Sequence, residues 1–237
     1  MFDSYDVLVA LKKLHLLDKS PPYWWPGAGS FEVIVGAILT QNTKWENVEK
    51  SLQSLKNAGI LENTPQTYKA RYKILAQNLA DDEKNLQNIA NLHQDVLASH
   101  IVSSGFFNQK SARLILLCQN ILKDFGSFEN FICEVSREWL LSQKGIGKES
   151  ADSILNYACG RDVMVVDKYT YKFLCAMGIE IPDYDELQAW FQKGIEENLQ
   201  NVFKLYGEKL PLACIYARFH GKIVESSKKK ITLELPK

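Results

Sequence analysis

The sequence has no closely spaced pair of cysteines. Its five, at positions 118, 133, 159, 175 and 214, are scattered and odd in number. That argues against a zinc knuckle or a disulfide-stapled scaffold and fits a reducing cytosol. Nor does one charge dominate: 28 Lys and Arg balance 28 Asp and Glu. A nucleic-acid-binding surface in such a chain must gather its basic residues on one face. No stretch approaches the roughly 18 apolar residues of a membrane span. The opening Met1-Phe-Asp-Ser-Tyr-Asp6 is acidic and lacks the positive start of a secretory signal, so a cytoplasmic location is expected. Internal repeats are absent, and Lys228-Lys-Lys230 is the one run of three basic residues. Strand-like runs are scarce, limited to Val163–Val166 and the tail Ile231–Leu235. Without alternation of strands and helices, the expected fold class is all-α.

What the chain has is helical periodicity. Val7, Leu8, Leu11, Leu14 and Leu17 repeat at three- and four-residue spacing after Asp3 or Ser4 as cap. Lys19 to Gly29, rich in Pro and Gly and carrying Trp24-Trp25, reads as a rigid loop, and Phe31 to Leu39 as a buried helix. Thr43-Lys-Trp-Glu46 has the form of a capping box opening a helix that ends near Gly59. Residues 64–98 read as two helices joined at Asp81-Asp-Glu83, and Asn108 to Lys123 as another. Later helices are expected near 128–135, 137–141, 169–177, 185–198 and 210–225.

The stretch with the most chemistry is Gly145-Ile146-Gly147, set between two apolar helices. Two glycines allow positive φ and close approach by another backbone. Ile146 pins the turn to the hairpin's own core. The unpaired N–H groups that open the second helix lie at its positive end, which suits a phosphate oxygen. Taken alone, the same residues make an ordinary helical hairpin. Some twenty positions on stands Asp167, at the start of the next helix, where an Asp is a routine N-cap.

The Gly145-Ile146-Gly147 hairpin, followed by Val165-Val-Asp167 and preceded by Ala37-Ile-Leu-Thr-Gln41-Asn42-Thr43, resembles the helix-hairpin-helix DNA glycosylases typified by endonuclease III. Adding Trp24-Trp25, Lys144-Gly-Ile-Gly-Lys-Glu149 and Tyr216-Ala-Arg-Phe-His-Gly-Lys222, the sequence is most similar to the 3-methyladenine DNA glycosylase III group. The resemblance implies a two-domain fold with the active-site cleft between domains. One domain is a six-helix barrel over 30–140; the other joins 1–29 to 141–237, including the hairpin at about 136–160. The implied protein is a monomer that hydrolyses the N-glycosidic bond of 3-methyladenine in duplex DNA, for base excision repair at the bacterial nucleoid. The alternatives are an endonuclease III-like or mismatch enzyme acting on other bases, and a non-catalytic DNA-binding hairpin.

Two departures from the family pattern sharpen the expectation. Strand-cleaving members carry a Schiff-base lysine two positions after the second glycine; here that position is Glu149, which forms no imine. Lys148 lies one residue away, about 100° around a helix, and does not substitute. Relatives with an iron–sulfur cluster hold it on four cysteines, whereas past residue 180 only Cys214 remains, so no cofactor of that kind is expected. Hairpins of the family also bind a monovalent cation through turn carbonyls.

Asp167 is the expected catalytic group, since a carboxylate stabilises the positive charge that grows on a sugar losing its base and orients a water. Trp24, Trp25 and Trp45 are candidates for the pocket, because indole faces attract the cationic ring of an N-alkylated purine; each could equally be core. Glu149 and Lys222 are further pocket candidates. If Lys222 is buried, its pKa falls and an uncharged or carbamylated amine is favoured. Gln41 and Asn42 are expected to fill the space left by a flipped nucleotide. Lys144, Gly145, Ile146, Gly147 and Lys148 contact DNA, and Lys110 and Arg113 extend the phosphate-facing strip. No metal site is expected.

Overall fold

The computed structural model describes residues 2–62 and 79–233, and every regular element among them is helical. The chain divides into two compact units. The described residues up to Pro26 and from Gly160 onward form one; those from Gly27 to Cys159 form the other.

The first unit opens with α1 (Ser4–Lys12), capped by Asp3. Asp3 Oδ1 accepts from Asp6 N at 3.0 Å while Asp6 Oδ2 accepts from Asp3 N at 3.2 Å. This reciprocal pair satisfies backbone donors that a helix start leaves open. Val7, Leu8 and Leu11 bury one face; the helix stops at Lys12, before Leu14 and Leu17.

The second unit begins with α2 (Glu32–Leu39), buried from Val33 to Leu39. It continues with α3 (Trp45–Asn57), α4 (Leu79–Ala90), α5 (Gln94–His100) and a 3-10 turn at Val102–Ser104. Then come α6 (Phe107–Phe125), α7 (Phe128–Glu134), α8 (Arg137–Ser142) and α9 (Lys148–Ser153), which widens into a π turn over Ile154–Ala158. α6 packs on α4, α5 and α7, while α2 meets α6, α9 and the π turn. Those contacts place the hairpin in this unit and not, as expected, with the terminal helices.

Back in the first unit, Val163–Val166 runs extended without pairing into a sheet. α10 (Lys168–Cys175), α11 (Tyr184–Glu197), α12 (Leu199–Tyr206) and α13 (Leu212–Lys228) follow. α13 packs on both α10 and α1.

Three local expectations fail for identifiable reasons. Thr43 does not cap α3, whose N-cap is Lys44 without a side-chain bond; the Thr43 hydroxyl donates instead to the Ser104 carbonyl and accepts from Lys110. Asp81 and Asp82 are not a helix break but the first turn of α4, where the helix dipole favours acids. The break falls beyond Ala90, and the helix expected before it lies outside the described residues. α12, missed in the sequence, buries Val202 and ends at Gly207 with φ 76.

Candidate active site

In the second unit the hairpin is fastened at both ends. Arg137 grips the fully buried Asp152 through Nε–Oδ1 at 2.7 Å and Nη2–Oδ2 at 3.0 Å, tying α8 to α9. Gly145 adopts φ 83, and a Cβ there would lie 2.5 Å from Cδ and Nε of Arg113. The positive φ favours glycine at this position, and any larger residue would also have to displace the Arg113 side chain. Ile146 is buried under the turn, whereas Lys144, Gly145, Gly147 and Glu149 are exposed and Lys148 half-buried.

Gln41 and Asn42, expected to act together, are separated. The Gln41 amide donates to Gly145 O at 2.9 Å and Ser150 Oγ at 3.0 Å, and accepts from Arg113 Nη1 at 3.3 Å. Its side chain holds the hairpin. Asn42 alone stands exposed at the tip, with φ 53. Lys110 corrects the expectation of a phosphate-facing residue, for it is 2% exposed. Its Nζ donates to Leu39 O at 2.8 Å, Thr43 Oγ1 at 2.9 Å and Ser104 O at 2.7 Å, fixing the turn that carries Asn42. Burial, then Arg113, lowers its pKa to about 8. Trp45, the first residue of α3, is half-buried in this same unit.

Asp167 lies in the first unit and is both a cap and more than a cap. Its Oδ1 accepts from Thr170 N at 2.8 Å and Thr170 Oγ1 at 2.9 Å, starting α10. Its Oδ2 lies 3.4 Å from His220 Nε2. That distance is long for a hydrogen bond. Burial works to raise the Asp167 pKa, and the His220 ring together with the Thr170 donors outweighs it. The carboxyl stands below its usual range and is ionised at neutral pH.

Around it the aromatic loop is bound to α13. Arg218 donates to Leu17 O at 2.9 Å and to Pro21 O at 3.2 Å, and Cys214 Sγ donates to Pro22 O at 3.3 Å. Trp24, half-buried and at φ 60, meets Trp25 edge-on at 6.1 Å and the His220 ring edge-on at 5.4 Å. Trp25 is core, 8% exposed. Lys222 is 2% exposed, and its Nζ has no hydrogen-bond partner but sits 5.6 Å from the centre of the Tyr206 ring. Burial, then Arg218 and Lys12, lowers its pKa to about 7.

His220, which the sequence offers only as part of the Tyr216–Lys222 stretch, lies beside the expected acid. The available signal was Gly221 beside it, a glycine within an otherwise continuous helical pattern.

Cys214 Sγ donates to the Pro22 carbonyl, and among the described residues no three His, Cys, Asp or Glu gather as a metal site. At the hairpin, Gly145 O accepts from Gln41 and Gln143 O from Ile146 N. A monovalent cation at the turn would share those oxygens with these donors.

Residues 35–197 match the HhH-GPD superfamily of base excision DNA repair proteins. A Methanocaldococcus jannaschii protein named as a DNA repair glycosylase is 32% identical over 96% of this chain and 90% of its own length. Among solved structures, the H. pylori 3-methyladenine DNA glycosylase bound to 1,N6-ethenoadenine superimposes with a TM-score of 0.89 and 57% identity, covering 98% of this chain and 100% of that one. A trapped endonuclease III–DNA covalent intermediate shares the fold alone, with a TM-score of 0.58 and 15% identity over 95% of this chain and 86% of that one.

Proposed function

The chain belongs to the HhH-GPD superfamily of base excision DNA repair proteins, and on that premise we propose that it is a monofunctional DNA glycosylase. Its substrate is duplex DNA carrying an alkylated purine, 3-methyladenine foremost, whose N-glycosidic bond it hydrolyses. The observation that carries this reading is the grouping of an ionised Asp167 carboxylate with His220 and the Trp24 indole.

An N-alkylated purine still joined to its sugar is cationic. Its ring gains about 0.5–2 kcal/mol from an indole face, and its charge makes it a good leaving group, so no separate general acid is required. As the bond breaks, positive charge moves to the sugar, where a fixed carboxylate stabilises it without reorganisation. Asp167 suits that task because Oδ1 is locked by Thr170 while Oδ2 is turned away from the cap. Water oriented by the carboxylate then adds to the sugar. Glu149 occupies the place of the Schiff-base lysine, so the strand stays intact after base release.

In the same reading the exposed turn around Gly145 holds phosphate, which sets register without reading sequence. Asn42 occupies the space of the flipped nucleotide. Trp24 supplies the aromatic face of the base pocket. The H. pylori relative, a 3-methyladenine DNA glycosylase at 57% identity, supports the choice of an alkylated purine. The test is free-base release from a panel of duplexes. Release from alkylated duplex is expected; release only from oxidised or mismatched duplexes contradicts the substrate assignment, and DNA binding without release from any of them contradicts the enzyme.

A further inference from the structure

Two consecutive residues of α13 touch two different parts of the proposed machinery. His220 reaches the acid, with Nε2 3.4 Å from Asp167 Oδ2, and its ring also meets the Trp24 indole edge-on at 5.4 Å. Gly221 meets the same indole by having no side chain. A Cβ on it would lie 2.5 Å from both Cγ and Cδ2 of Trp24 and 2.9 Å from Cδ1. These are ring atoms of a bulky group and not the end of a flexible chain, so the helix backbone itself is the surface the indole rests on.

Glycine in a helix interior is unfavourable relative to alanine, and α13 carries Gly221 between the buried residues His220 and Lys222. Trp24 carries a cost of its own: φ 60 is left-handed backbone, which a large residue adopts only where its surroundings impose it. Here they do. Trp24 N donates to Pro21 O at 2.9 Å, and the Pro21 and Pro22 carbonyls are themselves held by Arg218 and Cys214, from the turns of α13 just before His220. Two local penalties are thus retained at one contact, and both serve to seat the same indole.

We propose that the His220-Gly221 step of α13 is a positioning element that fixes the Trp24 indole and the Asp167 carboxylate in one register. The spacing between the aromatic face that receives a cationic base and the acid that faces its sugar is then set by adjacent helix residues, not by the loop that bears Trp24. Neither His220 nor Gly221 need touch the substrate. Gly221 governs base selection through Trp24, and His220 governs the rate through Asp167. This inference rests on the proposed glycosylase reading.

The experiment uses the full chain and three measurements: binding of free 3-methyladenine by tryptophan fluorescence, single-turnover base release at saturating enzyme, and affinity for an abasic-site duplex. Gly221→Ala should weaken free-base binding about tenfold, the size of one aromatic stacking contact, with abasic-duplex affinity unchanged. His220→Leu should slow base release about tenfold to a hundredfold at saturation. His220→Gln, whose amide can take the place of Nε2, should recover most of that loss. A purely structural role lowers thermal stability in all three variants without this split or this recovery.

Should Gly221→Ala fold poorly, Trp24→Ala in the same chain removes the ring that the new methyl strikes, and the double variant should regain the lost stability. Wild-type release of alkylated base combined with wild-type behaviour of the Gly221 and His220 variants overturns the inference alone, as does a double variant no more stable than Gly221→Ala. A wild-type chain that releases no alkylated base overturns the glycosylase reading and the inference with it.

Discussion

In the unit from Gly27 to Cys159, Lys110 is 2% exposed and its ammonium donates to three oxygens around the Asn42 turn. In the other unit Lys222 is just as buried, but among the described residues its Nζ has no acceptor, and it sits over the Tyr206 ring. The contrast extends to the rest of each site. Gln41 uses both ends of its amide to hold the hairpin turn, whereas Asp167 keeps Oδ2 outside its cap, 3.4 Å from His220 Nε2. A buried polar group with all its bonds made stabilises shape, and one left short of partners remains available to a ligand. In the proposed reading the unit from Gly27 to Cys159 grips DNA and the unit that holds Asp167 carries the chemistry.

That division is open to direct attack. The largest effect is expected from Asp167→Asn. Asparagine keeps an oxygen for the Thr170 N–H and so preserves the cap, but it removes the charge. Base release should fall on the order of a thousandfold, while affinity for abasic duplex stays within about twofold of wild type, a difference of roughly 0.4 kcal/mol. Loss of affinity in parallel with rate would merge the two roles.

Gly145→Ala is the converse. It forces an alanine to φ 83 and drives a methyl into Arg113, with a backbone cost of about 1–2 kcal/mol. DNA affinity should drop by around tenfold, the equivalent of about 1.4 kcal/mol, and the single-turnover rate at saturating enzyme should not change. A slower saturated rate would mean that the turn does more than hold phosphate.

The smallest effect concerns the buried lysine. The pKa of Lys222 is about 7 in the folded chain, against about 10.4 unfolded. The folded state binds fewer protons between those values, so the cost of burying the charge is full below pH 7 and is relieved as pH rises toward 10. Wild type should therefore gain stability over that window, relative to Lys222→Met, by an amount on the order of a few kcal/mol. Chemical denaturation of both proteins at pH 6, 8 and 10 reads this difference. Parallel curves would show that another group neutralises the ammonium.

Much of the grip was legible in the sequence, because a hairpin is written locally: Gly145-Ile146-Gly147 fixes a turn, and the apolar spacing on either side fixes two helices. The all-α class followed from the same periodicity. Long-range polar bonds were not legible. Thr43 has the right residues downstream for a capping box, yet its hydroxyl is taken by Ser104 and Lys110, some sixty residues on. Lys110 looks like a solvated helix residue until the carbonyl ends of α2 and of the 3-10 turn are folded over it. His220 and Gly221 lay in a stretch quoted for its resemblance, but their purpose depends on Trp24, nearly two hundred positions earlier, resting on one and against the other.

The central claim is hydrolysis by Asp167 without covalent capture of the sugar, and the fate of the DNA strand tests it most directly. A duplex carrying 3-methyladenine should be incubated with the protein in the presence and absence of borohydride, with free base and strand scission followed in the same samples. The account predicts free 3-methyladenine, an intact abasic strand and no protein–DNA adduct. An adduct trapped by borohydride, or strand cleavage keeping pace with base release, would contradict it.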